Sequence, residues 1–485
     1  MEPGDDASID RRAARGTLWV GLSSWLNRLM MLAVIAVLAR ELSPREFGVL
    51  SIGALCSNIL TIIGTLGLAD ALVYQRDRIK EAAGTTLVAA TVAGVVIGLA
   101  LAMAAPSIAR YFRVPDATGI IRAYGLIVTL NVVKQVPFSV LTRDLAFDRR
   151  FIPEAVPAIV GGLVSIGLAL SGAGVWSLVI GDGVRSVVSL LLCFIVLTDR
   201  FGFAWHTDAA VELWRYGKHV LATQGFDFAL QNVDYALVGR LLGPVALGYY
   251  SLAFRIAILP FLTITYVIAG VALPYFARLA TDLERVRNAF RSIFAVSMAL
   301  ICLLGGGLIF LAPSLQVLGV EWAPSVPVAR WLGLYVCLRS GAHLIHALLA
   351  ATGRPGVDAS LRGAWVVLLA LSIAAVARHG IIAVAAVQAV VAGVLLLGYV
   401  VAAVRFASIR GRRLALDLGR QAIVTAIAGS VVAGLRLFGG VWTADTTWAT
   451  LFLLSSAFVV VYAAGTMLLV PGVGQDLRRL RARLA

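Results

Sequence analysis

The residues able to do chemistry in this sequence stand where water is scarce. Arg28, Lys134, Arg185, Arg255 and Arg339, with Asp182, Asp227 and Asp234, each fall near the middle of an apolar run of about 20 residues, the length that crosses a hydrocarbon core. An ionisable side chain at that depth is costly and normally faces a cavity, a partner or an ion path. Five of these groups are cations and three are carboxylates. Arginine keeps its charge and meets phosphate through paired hydrogen bonds, so a cationic surplus suits an anionic cargo.

Each group has a plainer reading beside that one. Asp182 and Arg185, three apart in "GDGVRS", can neutralise each other on one helix face. Asp227 and Asp234 share a face with Gln231 between them. They either pair with Arg28 or Arg255, or take up H⁺ or Na⁺ as a coupling site; pairing is preferred because buried charge is usually paired. Arg28 and Arg255 are the preferred substrate groups, expected to face one another across a cavity. Lys134 lies in "NVVKQVPF", where Asn131 and Gln135 suit sugar hydroxyls and interhelical bonds equally well, and Pro137 can loosen the helix one turn on. Arg339, His343 and His346 follow at i, i+4 and i+7. Two histidines with no local cysteine or carboxylate make a poor metal set, so a cavity face or a pH-sensitive stripe is preferred and no metal is expected.

Enzyme signals are missing. No G-x-x-x-x-G-K-[ST] loop occurs, which argues against direct driving by ATP. No Ser/His/Asp set or carboxylate pair sits in a watery loop. The sequence therefore predicts a non-enzyme without cofactors, apart from a coupling H⁺ or Na⁺.

The elements that carry these charges follow from hydropathy. Hydrophobic residues make up 60% of the 485 and charged residues 14%, with a mean hydropathy of +0.91. The pattern predicts an all-α polytopic membrane protein of about fourteen spans, among them 17–38, 47–73, 213–241, 246–276 and 288–312. The net charge of +15 resides in the loops, where arginines report topology and anionic lipid; no nucleic acid is expected as partner. Termini and even-numbered loops hold 22 basic residues against six in the odd-numbered loops, which places both termini in the cytoplasm. Asn27 and Arg28 interrupt the first apolar stretch, so it is expected to stay as a span and not as a cleaved signal. Cys56, Cys193, Cys302 and Cys337 all lie in apolar runs, and no disulfide is expected.

A repeat organises the spans. "AVLARELSPREFGVLSIG" at 36–53 recurs as "ALVGRLLGPVALGYYSLA" at 236–253, matching Arg40/Arg240, Leu42/Leu242, Pro44/Pro244, Gly48/Gly248 and Ser51/Ser251. The motif is a reversal between two spans and starts each of two parallel lobes. The expected organisation is a basic segment 1–16, an N-lobe 17–200, a C-lobe 201–404, two added spans within 405–470 and a basic tail 471–485. A substrate site is expected between the lobes.

Two six-helix lobes plus an added pair resemble the MOP superfamily of flippases and exporters. "LARELSPREFGVLSIG", "GTLGLADALVYQRD" at 64–77 and "LTRDLAFDRRF" at 141–151 resemble the Wzx-type polysaccharide flippases of the WzxC and teichuronic-acid-exporter kind, with Ala69 standing where a glycine is expected. The resemblance implies a flippase in the bacterial inner membrane. It would move a polyprenyl-diphosphate-linked oligosaccharide from the cytoplasmic to the outer leaflet by alternating access, for cell-surface polysaccharide biosynthesis. Its partners would be that lipid-linked oligosaccharide, membrane lipid and, in addition, polysaccharide assembly proteins. A lipid II flippase or a cation or drug exporter of the same superfamily is the alternative. From another class, so is a membrane glycan ligase or polymerase.

Overall fold

The computed structural model describes residues 3–75, 78–197, 201–279, 282–407, 409, 411–438 and 447–470. The expected basic tail and the side chains of the basic N-terminal segment lie outside the described residues, as do the side chains of Asp227 and Gln231. Among the described residues the protein is helical, and thirteen stretches are long and apolar enough to cross a membrane. A chain in hydrocarbon must satisfy its backbone within each segment, which leaves the helix as the open-ended solution.

The chain forms two compact units, 1–248 and 249–485. The expected lobe boundary at 200/201 falls inside the first unit. The first unit holds α1 (Pro3–Glu41), α2 (Pro44–Thr65), α3 (Leu68–Tyr74), α4 (Ile79–Tyr111), α5 (Ala117–Arg143), α6 (Phe147–Leu170) and α7 (Trp176–Val196), with the first limb of α8 (Thr207–Ala257). Within it α5 packs against α2, α4 and α7, while α6 packs against α1 and α7. The second unit continues with α9 (Tyr266–Arg278), α10 (Leu283–Ile301), α11 (Gly307–Leu311), α12 (Ser325–Ala351), α13 (Pro355–Val376), α14 (Ile381–Ala407), α15 (Gly411–Phe438) and α16 (Trp448–Leu469). There α12 packs on α9, α10 and α14, and α15 pairs with α16.

The repeated motif builds its two reversals by different chemistry. In the first copy Ser43 caps α2, Pro44 occupies the first turn and Glu46 returns a bond to the Ser43 N–H at 2.8 Å. This capping box satisfies two amide donors that the helix start would otherwise leave bare. The second copy has Gly243 and Ala246 in place of Ser43 and Glu46. Here Gly243 takes φ 87°, ψ 179° and breaks α8 into limbs 207–242 and 244–257 without a separating loop. A left-handed φ at this point requires glycine. The expected spans 213–241 and 246–276 therefore meet at a kink in one helix.

The motif glycines also explain why the repeat keeps its spacing. A Cβ on Gly48 would collide with the Pro244 carbonyl, and a Cβ on Gly248 with the Pro44 carbonyl. The two copies thus cross reciprocally, each glycine under the other copy's proline. In lipid, where apolar side chains gain little from leaving the solvent, such close backbone approach is a main source of helix association.

Two other boundaries differ from the sequence reading. The expected span 47–73 is cut at Leu66 and Gly67, both left-handed at φ 52° and φ 67°, with Gly67 seated against the Gly217 backbone. The expected span 288–312 starts earlier, at Leu283. It loosens into a π-helical turn at Cys302–Gly306 and ends in a 3₁₀ stretch, Ala312–Leu318. Gly305 there meets Gly333 of α12, and Gly306 meets Thr425 of α15.

Candidate functional site

The first unit gathers four of its helices around a polar centre. From α1 come Ser23 and Asn27; from α5, Tyr124, Asn131 and Lys134; from α6, Arg150 and Glu154; from α7, Asp182, Arg185 and Ser186. Arg185 donates to Asn27 Oδ1 at 2.7 Å, and Asn27 donates onward to the Ser23 and Glu154 carbonyls at 2.8 and 3.2 Å. Ser23 Oγ donates to Glu154 Oε2 at 2.7 Å. The other oxygen of Glu154 meets Arg150 Nη2 at 3.2 Å. Tyr124 OH donates to Asp182 Oδ2 at 3.0 Å, and Ser186 Oγ to Asn131 Oδ1 at 3.1 Å.

Lys134 stands apart within this centre. It is half-buried and its charge is felt against Arg185, Asp182 and Glu154. Among the described residues, however, its ammonium makes no hydrogen bond or ion pair. An ammonium carries three donors, so those of Lys134 remain for another acceptor. Arg150 is held over the Phe138 ring at 4.3 Å and bonds Thr142 Oγ1 at 3.1 Å, yet its buried Nε has no partner. Three cations, Lys134, Arg150 and Arg185, thus share this centre with two carboxylates, Glu154 and Asp182. Arg28, Lys134 and Arg185, chosen from sequence, all belong to this unit. Arg185 donates to Asn27, and Asp182 accepts from Tyr124.

Asp234, on the first limb of α8, is 2% exposed and accepts from the Tyr235 N–H at 2.9 Å. Arg255 is half-buried on the second limb and belongs to the second unit.

The second unit has its own polar cluster on α12 and α13. Arg339 is 7% exposed and donates to Tyr335 OH at 2.8 Å. Its guanidinium lies 4.4 Å from the Phe261 ring centroid and 5.3 Å from that of Trp365, a cation held by aromatic faces. His343 packs edge-on to Phe261 at 5.2 Å and lies 5.3 Å from the His346 ring. His346 Nδ1 sits 2.6 Å from Asp358 Oδ1, and Arg362 Nη2 sits 2.9 Å from His346 Nε2. A guanidinium can only donate, so Nε2 must accept and Nδ1 must carry the proton given to Asp358. Both ring nitrogens are then committed, which leaves no lone pair on His346 for a metal. Asp358 also accepts from Tyr399 OH at 2.7 Å and pairs with Arg362 Nε at 3.2 Å.

Sequence reading overlooked several of these residues. Asn27, Tyr124, Arg150 and Glu154 act in the first cluster, and Asp358, Arg362 and Tyr399 in the second. The i, i+4 spacing of Asp358 and Arg362 was a readable signal. The pairing of Glu154 with Ser23, 131 positions away, had none.

Comparison with known proteins agrees with this picture. The chain matches the polysaccharide biosynthesis protein family over residues 37–327. It is 27% identical over 326 residues to the succinoglycan biosynthesis transport protein ExoT of Rhizobium meliloti (strain 1021), a match covering 67% of this chain and 66% of the relative. It is 24% identical over 360 residues to the lipopolysaccharide biosynthesis protein WzxC of Escherichia coli (strain K12), covering 73% of each. The fold superposes on the lipid II flippase MurJ with a TM-score of 0.76 at 11% identity, over 93% of this chain and 98% of that one. The resemblance read from "LARELSPREFGVLSIG" to Wzx-type proteins is borne out by the family match and by WzxC, as is the expected all-α, multi-pass membrane architecture. ExoT is by its name a transport protein, and MurJ, which shares the fold, is a flippase. With the family matched over well more than half of its length, the chain belongs to the polysaccharide biosynthesis protein family and has the MOP-type transporter fold.

Proposed function

We propose that the protein is a flippase that carries a polyprenyl-diphosphate-linked oligosaccharide across the membrane by alternating access. The cargo would enter from the cytoplasmic leaflet and leave in the outer one, in the inner membrane of a bacterium, with both termini cytoplasmic. The observation that carries this reading is the cationic surplus of the first unit, and above all Lys134, whose ammonium makes no hydrogen bond or ion pair among the described residues. A diphosphate headgroup supplies the missing acceptors. Arg28 and Arg185 would contribute further charge, and Asn131 would suit sugar hydroxyls. A cationic cargo would instead call for surplus carboxylate, which disfavours the drug-exporter alternative. A lipid II flippase differs in cargo and not in headgroup chemistry, so only the identity of the bound lipid separates the two.

Native mass spectrometry of protein gently extracted from its own host tests this. Wild type is expected to carry a polyprenyl-diphosphate glycan, and Arg28→Ala/Lys134→Gln to lose it. A wild type carrying small cationic molecules, with no such lipid, would overturn the reading. A lipid II mass would move it to that alternative.

Proton coupling is the second part of the proposal. Asp227 and Asp234 remain coupling candidates, and the cluster around His346 adds a third. Protonation of His346 Nε2 removes the lone pair that accepts from Arg362 and sets two cations against each other. Asp358, Tyr399, His343 and the caged Arg339 are the other charged or titratable groups of that cluster. Transport into proteoliposomes is therefore expected to rise with an imposed proton gradient in wild type, and that profile to flatten in His346→Asn. An unchanged profile in the folded variant would rule out His346 as the coupling group.

A further inference from the structure

A cavity of about 230 Å³ opens where α10 and α15 begin, apart from both clusters described above. Its polar wall is Arg287, Arg291 and Arg413 with Asn288, and its apolar wall includes Phe290 and Leu414. We propose that this cavity is a phosphate-binding site that holds the headgroup of an anionic phospholipid at the end of the helix bundle.

Three observations support it independently of the transport reading. The Arg287 Nε is buried and has no hydrogen-bond partner in the protein. Burial without a partner is costly for such a donor, and Arg287 itself lines the cavity. Arg413 and Leu414 lie in the first turn of the 28-residue α15. There the helix dipole is positive and backbone N–H groups lack intrahelical acceptors, a setting that favours anions. The carboxylates of the lining do not outnumber its arginines. Asp417 is 3.9 Å from both Arg291 and Arg420, too long for a hydrogen bond to either. The remaining acid of the lining, Glu284, is exposed on the first turn of α10. Three guanidiniums against two carboxylates leave net positive charge.

Free phosphate offers the same oxygens, but the composite lining favours the lipid. Phe290 and Leu414 bring apolar surface to the same cavity as the arginines, at the end of two membrane-spanning helices. A phosphodiester with its glycerol backbone matches that combination, whereas inorganic phosphate uses only the polar wall. Basic pockets between membrane helices are a recurrent way of holding anionic headgroups.

The test uses the full-length protein in neutral detergent, with binding read by native mass spectrometry. Phosphatidylglycerol and phosphatidylcholine are added in turn, and inorganic phosphate is titrated separately. Wild type is expected to retain phosphatidylglycerol at least about tenfold more tightly than phosphatidylcholine, and Arg287→Gln and Arg413→Gln each to lose that preference. Binding of inorganic phosphate alone, lost in the same variants, would keep the phosphate site and overturn the lipid assignment. No preference for phosphatidylglycerol and no phosphate binding would overturn the proposal altogether. Arg413 is exposed, so Arg413→Gln keeps the test decisive if Arg287→Gln does not fold.

Discussion

Replacing Lys134 with glutamine is expected to cut export of the lipid-linked cargo by at least about tenfold while leaving the protein folded and in the membrane. The expectation rests on an asymmetry inside the first unit. Arg150 and Arg185 spend donors on Glu154, Thr142 and Asn27, whereas Lys134 spends none on the described residues. Its removal therefore strands no buried partner, and the loss falls on the cargo. A desolvated contact between opposite charges is worth roughly 2–5 kcal/mol when one side is truncated, and every 1.4 kcal/mol is about tenfold in affinity. Arg28 and Arg185 retain part of the attraction, which sets the lower bound at about tenfold. Lys134→Arg keeps the charge and should recover much of the activity, although its planar fork differs from a compact ammonium. Complementation of surface polysaccharide in a null strain, normalised to folded protein by fluorescence size exclusion, reads the effect. Full export by a folded Lys134→Gln protein would remove Lys134 from the site.

The second large effect is expected at the crossing of the two motif copies. Gly48→Ala and Gly248→Ala each place a methyl group against a proline carbonyl of the other copy. The obstruction is main-chain in both cases, so no side-chain rotation relieves it; α2 and the second limb of α8 have to move apart. Overpacking of this kind usually costs 1–3 kcal/mol, and a rigid backbone contact belongs at the upper end. Because the contact is reciprocal, both variants should show the same fall in thermal unfolding temperature and in folded yield. Gly167→Ala on α6, where an added methyl meets no neighbour within 4 Å, is the matched control and should behave as wild type. Unequal effects from Gly48 and Gly248, or an equal loss at Gly167, would contradict a reciprocal crossing.

The sequence alone determined the class of architecture. Helical spans are legible because hydrocarbon permits only internally bonded segments and prescribes their length. The first reversal was legible too, since Ser43, Pro44 and Glu46 are the residue types that a helix start needs. The flippase resemblance followed from the same motif and its neighbours. Three of the site residues, Arg28, Lys134 and Arg185, could be picked out because charge at mid-span is rare and conspicuous.

Only the tertiary structure decided what each charge meets. The Arg185–Asn27 and Ser23–Glu154 bonds join residues 158 and 131 positions apart. No local spacing records such pairs, because they depend on which helices become neighbours. The same holds for Arg339, which the sequence offered to a cargo but the fold encloses among Tyr335, Phe261 and Trp365. Gly243 shows the limit in reverse. Its identity was visible, but whether it ends a helix or kinks one depends on the packing of the limbs on either side. Hydropathy is a property of each segment by itself, whereas pairing is a property of contacts between segments.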